Sequence, residues 1–210
     1  MKSAVRRSYT LGARADDMLA TRERIVHVTL RLALEQPYED ITLAAIAEAA
    51  GVSHQTVLNH FESKEKVAVA AAEVLSRETQ GVRDRATPGD HAGAVAILVG
   101  EYERFGDANA RWAATSERLG PLAALFDTAR ANHQAWLERI FAGQLPKTPG
   151  PRRRAIHALH AASDVYTWKL LRRDLLLSRA ETARIMLDLV NGVLAARSPG
   201  SSQQSRRKRR

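Results

Sequence analysis

The chain predicts an all-α fold of about nine helices, and three observations lead there. Apolar residues recur at three- and four-residue spacing along most of the sequence. Stretches rich in β-branched residues are few, and none alternates convincingly as a half-buried strand would. Short breakers separate the periodic runs: Pro37, Gly51, ATPGD at 86–90, GP at 120–121 and GQLPKTPGP at 143–151.

From Thr21 to Glu35, Ile25, Val28 and Leu32 form an apolar stripe that Leu30 and Leu34 thicken, and Pro37 ends the helix. Thr42 is placed to cap a second helix, LAAIAEAA, which Gly51 stops. Ser53 caps a short third helix, and a longer one starts at Ser63 with Val67, Ala71, Val74 and Leu75 on one face. Helices follow over 90–106, 108–117, 121–142, 151–173 and 179–196, the last opened by an S-x-x-E capping box at Ser178 and Glu181.

Composition narrows the class. Apolar residues make up 45% and charged residues 26%, which suits a globular protein. There is no Cys, so disulfides and thiolate metal sites are excluded, and a reducing cytoplasm is the expected location. No apolar run approaches the ~20 residues of a membrane span, so no membrane partner is expected. The net charge of +9 sits in the ends: RRKRR at 206–210, and Lys2, Arg6, Arg7 and Arg14 before residue 15. Between them, 23 basic residues balance all 23 acidic ones. The expected layout is a basic N-terminal arm over 1–19, a three-helix domain over 20–66, a helical bundle over 67–197 and a disordered basic tail over 198–210.

The densest constellation is 42–61. Gly51 supplies a turn where positive φ costs a glycine little, and Ala47, four residues earlier, lets the next helix cross closely. Ile46, Ala50, Val52 and Val57 occupy positions buried between two steeply crossing helices, and Phe61 plugs the bottom. This is the logic of a helix-turn-helix, whose second helix enters the DNA major groove. A plain helical hairpin would explain Ala-x-x-x-Gly alone. The polar surface of His54, Gln55, Thr56, Asn59 and His60 tips the balance towards DNA.

The segment ITLAAIAEAAGVSHQTVLNHFESKEKV at 41–67 resembles the DNA-binding domain of the TetR family of transcriptional regulators. The shared pattern is T-x-x-x-I-A-x-x-A-G-V-S, a Thr in the reading helix, an aromatic ending it, and S-K-E opening helix four. The resemblance covers roughly residues 20–75, and the layout of the remaining helices agrees with the family's variable effector domain. Where the family commonly places tyrosines that touch phosphates, this chain has Leu58 and His60. The resemblance implies a double-stranded DNA operator, a small-molecule effector, and a homodimer formed through the last two long helices. It also implies repression rather than activation, with no cofactor and no catalysis.

Residue by residue, Gln55 and Asn59 share a face, and either amide can bond bidentately to adenine N6 and N7. Thr56 offers a methyl to thymine or a hydroxyl to phosphate, and His54 and His60 can donate to phosphate or guanine N7. No Arg lies on this helix, so the contacted bases should be weighted towards A·T. Residues 15–75 carry five basic and ten acidic side chains, so attraction to DNA must come from local devices. Those devices are Lys64 at the start of helix four, the N-termini with Thr42 and Ser53, and the arm with Arg6, Arg7 and Arg14.

In the bundle, Tyr102, Phe105, Trp112, Phe126, Trp136, Tyr166 and Trp168 are candidate walls for an effector pocket, though core packing suits any one of them better. Ala183, Met186, Leu187, Val190, Val193 and Leu194 form an apolar row that fits a dimer partner or the chain's own core equally well. His157, His160 and Asp164 recur on one helical face, but hydrogen-bonded or exposed roles account for them better than a metal, and none is assigned. No G-x-S-x-G, phosphate-cradling Gly loop or H-E-x-x-H is present, which argues against an enzyme. The rival to a DNA-binding regulator is a helical adaptor that binds only proteins, favoured by the acidic domain and the missing tyrosines.

Overall fold

The computed structural model describes the backbone over 2–115 and 123–196 and the side chains over 15–114 and 123–196. Among these residues every regular element is helical. The order is α1 (Lys2–Glu35), a 3-10 turn (Tyr38–Asp40), α2 (Leu43–Ala50), α3 (His54–Phe61), α4 (Lys64–Arg83), α5 (His91–Thr115), α6 (Ala123–Ile140), α7 (Pro149–Ser163), α8 (Val165–Lys169) running into a π turn (Leu170–Asp174), and α9 (Arg179–Ala195). The chain divides into two compact units, Met1–Glu78 with Arg111–Phe126, and Thr79–Ala110 with Asp127–Arg210.

The first unit is built around one fully buried aliphatic side chain from each of four helices. Ile25 of α1, Ile46 of α2, Val57 of α3 and Val67 of α4 are all 0% exposed. Each such burial contributes about 1.5–3 kcal/mol. The buried stripe of α1 is Ile25, Val26, Thr29, Leu30 and Ala33, rotated from the one expected, with Val28, Leu32 and Leu34 half-buried on its flank. Thr29 is a hydroxyl that periodicity alone assigns to the polar side. It enters the core because its Oγ1 donates to the Ile25 carbonyl at 2.8 Å. The last turn of α1 has no basic residue. Its carbonyls are met instead by distant donors: Trp112 Nε1 bonds Ala33 O at 3.1 Å and Arg111 Nη2 bonds Leu34 O at 3.0 Å.

The backbone of the segment expected as an arm is helical from Lys2 onward and continuous with α1. The side chains of Arg6, Arg7 and Arg14 lie outside the described residues, as do the GP at 120–121 and the tail over 198–210.

In the second unit, Leu98, Leu137, Ile140, Leu159, Trp168 and Met186 form the heart of the core, all within 1% of complete burial. Two expectations are corrected here. The two stretches expected over 90–106 and 108–117 are joined in one helix, α5, over His91–Thr115, and residues 116–117 lie outside the described residues. A Cβ at Gly106 would come within 2.4 Å of the Trp168 ring, so the glycine is there for close approach. The helix expected over 151–173 is interrupted at Asp164, which adopts an extended conformation (φ −73°, ψ 154°) and caps α8 by accepting from Tyr166 N at 2.9 Å. Of the three residues expected on one helical face, the structure pairs only two. His157 is exposed, while His160 Nε2 lies 3.2 Å from Asp164 Oδ2.

A buried polar network crosses this core. Arg83 bonds Glu101 through Nε at 2.6 Å and Nη2 at 2.8 Å, and its Nη1 lies 3.0 Å from His133 Nδ1. A guanidinium only donates, so Nδ1 accepts and Nε2–H donates to Ser163 Oγ at 3.0 Å. Ser163 in turn donates to Leu159 O at 2.7 Å, and its own carbonyl accepts from the Tyr102 hydroxyl at 3.0 Å. Each side chain in this chain of contacts is paired with the next, which offsets the cost of burying it.

Candidate nucleic-acid interface

The helix-turn-helix is assembled by three local devices. Gly51 ends α2 in the left-handed region (φ 66°, ψ 36°), and its amide donates to the carbonyls of Ala47 and Glu48. Thr42 Oγ1 accepts from Ala45 N at 3.0 Å, and Ser53 Oγ accepts from Thr56 N at 3.0 Å, so both helices carry the caps the sequence offers. Ala47 and Ala50 are each 4% exposed, and Phe61 is 3% exposed. Val52 is only half-buried, because it sits in the turn and packs at the edge of the core.

A fourth device was not read from the sequence. Arg24 of α1 donates from Nε to Ala50 O at 3.0 Å, tying the C-terminus of α2 to α1. Arg22 lies 4.5 Å above the Phe61 ring, with the rest of its side chain exposed. Sequence periodicity marks both arginines only as residues on the polar side of α1.

On α3, His54, Gln55 and Asn59 are exposed, and Thr56, Leu58 and His60 are half-buried. Gln55 Nε2 donates to Asn59 Oδ1 at 2.9 Å. That bond leaves Gln55 Oε1 as an acceptor and Asn59 Nδ2 as a donor, the complement of an adenine major-groove edge with its N6 donor and N7 acceptor. Ser53 Oγ and Thr56 Oγ1 are 2.8 Å apart, so one of the two hydroxyl hydrogens bridges them and the other is available. His60 packs its ring 6.3 Å from that of Phe61.

Lys64 is more constrained than its sequence position suggests. Its Nζ lies 3.3 Å from Glu39 O and 4.1 Å from the centroid of the Tyr38 ring. Nothing in the sequence pattern singles out Tyr38. Its ring packs edge-on against Trp112 at 5.7 Å, and its hydroxyl contacts Glu65 Oε1 at 3.4 Å. Burial, followed by the Glu65 carboxylate, pushes the Tyr38 phenol up to about 12, so it stays protonated as a donor. Glu65 itself is held below the usual carboxylate range, chiefly by its own backbone N–H in the first turn of α4 and by Ser63. The 3-10 turn thus holds Lys64 in place, and its remaining ammonium hydrogens stay open to an anion.

The seven aromatics named for an effector pocket divide between the two units. Trp112 and Phe126 belong to the first unit and pack near Ala68. In the second unit, Tyr102 and Phe105 are buried in α5, and Trp136 and Trp168 are buried with their indoles bonded to Arg83 O at 3.0 Å and Glu103 Oε1 at 3.1 Å. Tyr166 is 49% exposed. The three indoles and the Tyr102 hydroxyl are satisfied by the protein itself, as core packing requires.

Comparison with known proteins agrees with this geometry. The profile described as bacterial regulatory proteins, tetR family, matches residues 25–71. The HTH-type transcriptional regulator TcmR of Streptomyces glaucescens is 41% identical over 58 residues, covering 28% of this chain and 26% of TcmR. The chain is thus matched over about a quarter of that relative's length. Among solved structures, a transcriptional regulator from Rhodococcus sp. Rha1 superposes with a TM-score of 0.69 at 18% identity, covering 83% of this chain and 96% of that one. SmeT, solved as a triclosan complex, gives a TM-score of 0.55 at 18% identity over 84% of this chain and 91% of that one. With the turn, the caps and the buried quartet in place over the matched segment, residues 25–71 form a helix-turn-helix domain that matches the tetR family of bacterial regulatory proteins, and the described chain shares the fold of the solved regulators.

Proposed function

We propose that the chain is a sequence-specific repressor that a small molecule releases from its operator. The observation that carries the DNA reading is the Gln55–Asn59 amide pair, exposed on a helix whose two ends are fixed by Ser53 and the core. Thr42, Ser53 and Lys64 lie at helix N-termini, where backbone N–H groups favour phosphate. His54, Thr56 and His60 complete the groove-facing surface, and Arg6, Arg7 and Arg14 supply charge that the domain itself lacks. The operator is weighted towards A·T opposite α3, since no arginine is present there to read guanine. Selection from a random duplex pool tests this directly: an invariant G·C core facing α3 overturns it.

Release by a ligand is supported by the triclosan bound in SmeT, a protein of the same fold. The mechanism is a population shift, in which the ligand favours a spacing of two reading heads that fits the operator poorly. Two heads require a homodimer, because one short helix contacts too few bases for useful specificity. The last helices supply the surface. The row named from sequence is largely internal, with Met186 and Val190 at most 1% exposed. Tyr166, Leu170, Leu175, Leu176 and Leu189 instead stand 44–82% exposed on α8, the π turn, the loop after it and α9. Substituting Leu170→Lys with Leu189→Lys should turn a dimer into a monomer by sedimentation velocity; an unchanged mass overturns this interface. The expected place of action is the cytoplasm, and no helix among the described residues is long and apolar enough to cross a membrane.

A further inference from the structure

The second unit holds a cleft of about 1150 Å³ that none of the seven named aromatics lines. Three elements and a loop meet there: the start of α5 at His91, the α6–α7 loop over 143–148, the first turns of α7 with Pro151 and Arg154, and the last turns of α9 from Asn191. Its size is slightly above the range of ~300–1,000 Å³ typical of small-molecule sites, as fits an open cleft.

The charge of the lining is one-sided. Lys147 and Arg154 contribute two full positive charges, and no Asp or Glu is present. In the same helix Arg152 has a carboxylate partner, with Nη2 3.8 Å from Glu138, whereas neither Arg154 nor Lys147 is among the described ion pairs. The end of α9 offers carbonyls carrying a partial negative charge of about half a unit, too little to neutralise two cations. The floor is mixed. Leu145, Pro146, Pro151 and Leu194 are apolar, and His91 Nδ1 lies 2.9 Å from Asn191 Oδ1. Asn191 Oδ1 only accepts, so Nδ1 carries the ring hydrogen and Nε2 is a buried acceptor without a hydrogen-bond partner. The sequence after Ala196 carries six basic residues and no acidic one, so it has the wrong sign to fill this cleft.

We propose that this cleft binds a small organic anion with an apolar body, its acid group held by Arg154 and Lys147 and its body resting on Leu145, Pro146 and Leu194. Burial of the apolar part and charge-assisted hydrogen bonds to the acid group would share the affinity. The proposal goes beyond DNA recognition and is tested on the protein alone, so failure of one leaves the other standing.

The probe is 1-anilinonaphthalene-8-sulfonate, titrated by fluorescence against the full chain, with neutral N-phenyl-1-naphthylamine as the uncharged counterpart. One saturable site preferring the sulfonate is expected. The Lys147→Gln/Arg154→Gln variant should bind the sulfonate at least tenfold more weakly, and Ala195→Trp, which fills the cleft while keeping its charge, should abolish the site. All three positions are exposed, so thermal unfolding by circular dichroism should be unchanged. Absence of a saturable site overturns the proposal, as does equal affinity for the neutral compound. Undiminished binding by either variant also overturns it.

Discussion

Acidification from pH 7.5 to pH 5.5 should destabilise the second unit through His133. This side chain is 5% exposed and is faced by Arg83 from α4, Glu101 and Tyr102 from α5, and His160, Ser163 and Asp164 from the end of α7. Burial first, then the neighbouring Arg83 guanidinium and His160, hold its imidazole well below the ordinary value of 6.5. The unfolded chain therefore binds this proton more readily than the folded one. Stability gained by keeping the ring neutral is complete above 6.5 and is lost as pH falls towards the depressed folded value. Over the interval from 7.5 to 5.5 the unfolded state takes up most of one proton that the folded state refuses. The loss is about 1.4 kcal/mol. Asp164, Glu65 and Glu103 are held below their usual carboxylate ranges, so they titrate outside this interval. The assay is urea unfolding at both pH values for the natural chain and for His133→Gln. Glutamine can accept from Arg83 and donate to Ser163, so it keeps both hydrogen bonds while removing the titration. Equal unfolding free energies at the two pH values, or the same loss in the glutamine variant, would refute the reasoning.

Other perturbations separate backbone, packing and recognition effects. Glu101→Ala strands the Arg83 guanidinium, whose side chain is only 13% exposed, and should cost about 3–5 kcal/mol by chemical denaturation. Gly51→Ala meets no atom within 4 Å, so its cost should be the backbone penalty alone, about 1–2 kcal/mol. Gly106→Ala has ordinary helical geometry but strikes the buried Trp168 ring, so overpacking of about 1–3 kcal/mol should appear with a perturbed indole fluorescence. Either Gln55→Ala or Asn59→Ala should relax base preference at one A·T pair and weaken specific binding by about 1–3 kcal/mol, read by competition against single-base operator variants. Lys64→Ala should weaken all duplexes alike and lower the salt slope by about one unit.

Much of the first unit was legible because its signals are short-ranged. A glycine four residues past a small side chain, a Ser or Thr at each helix start, and aliphatic residues one turn apart report local geometry, and the caps at Thr42, Ser53 and Ser178 formed as the residue types imply. The polar face of α3 was likewise visible, since an eight-residue helix with Val57 and Phe61 turned inward leaves His54, Gln55 and Asn59 exposed. Less was legible about what holds the reader in place. Tyr38 beneath Lys64, Arg24 on the end of α2 and Trp112 on the end of α1 join residues 26 to 79 positions apart. Periodicity carries no information about such pairs.

The second unit shows the same division more sharply. The helix expected to end at 106 runs on, although Gly106 lowers helix propensity by about 1 kcal/mol, because the ring of Trp168 makes glycine the residue that fits there. Asp164 looked like a helical side chain aligned with two histidines, yet it ends one helix and caps the next. The row from Ala183 to Leu194 could have faced a partner or the chain itself. Its central members are buried within the chain, and the exposed apolar surface lies elsewhere. By itself the sequence determined the all-α class, the turn at Gly51 and the polar face of α3. Caps, periodicity and glycine conformation act within one or two helical turns. Only the tertiary structure decided which polar groups are buried together, which apolar faces remain uncovered and where an unbalanced pair of cations lines a cleft, because those depend on contacts between residues that the chain places far apart.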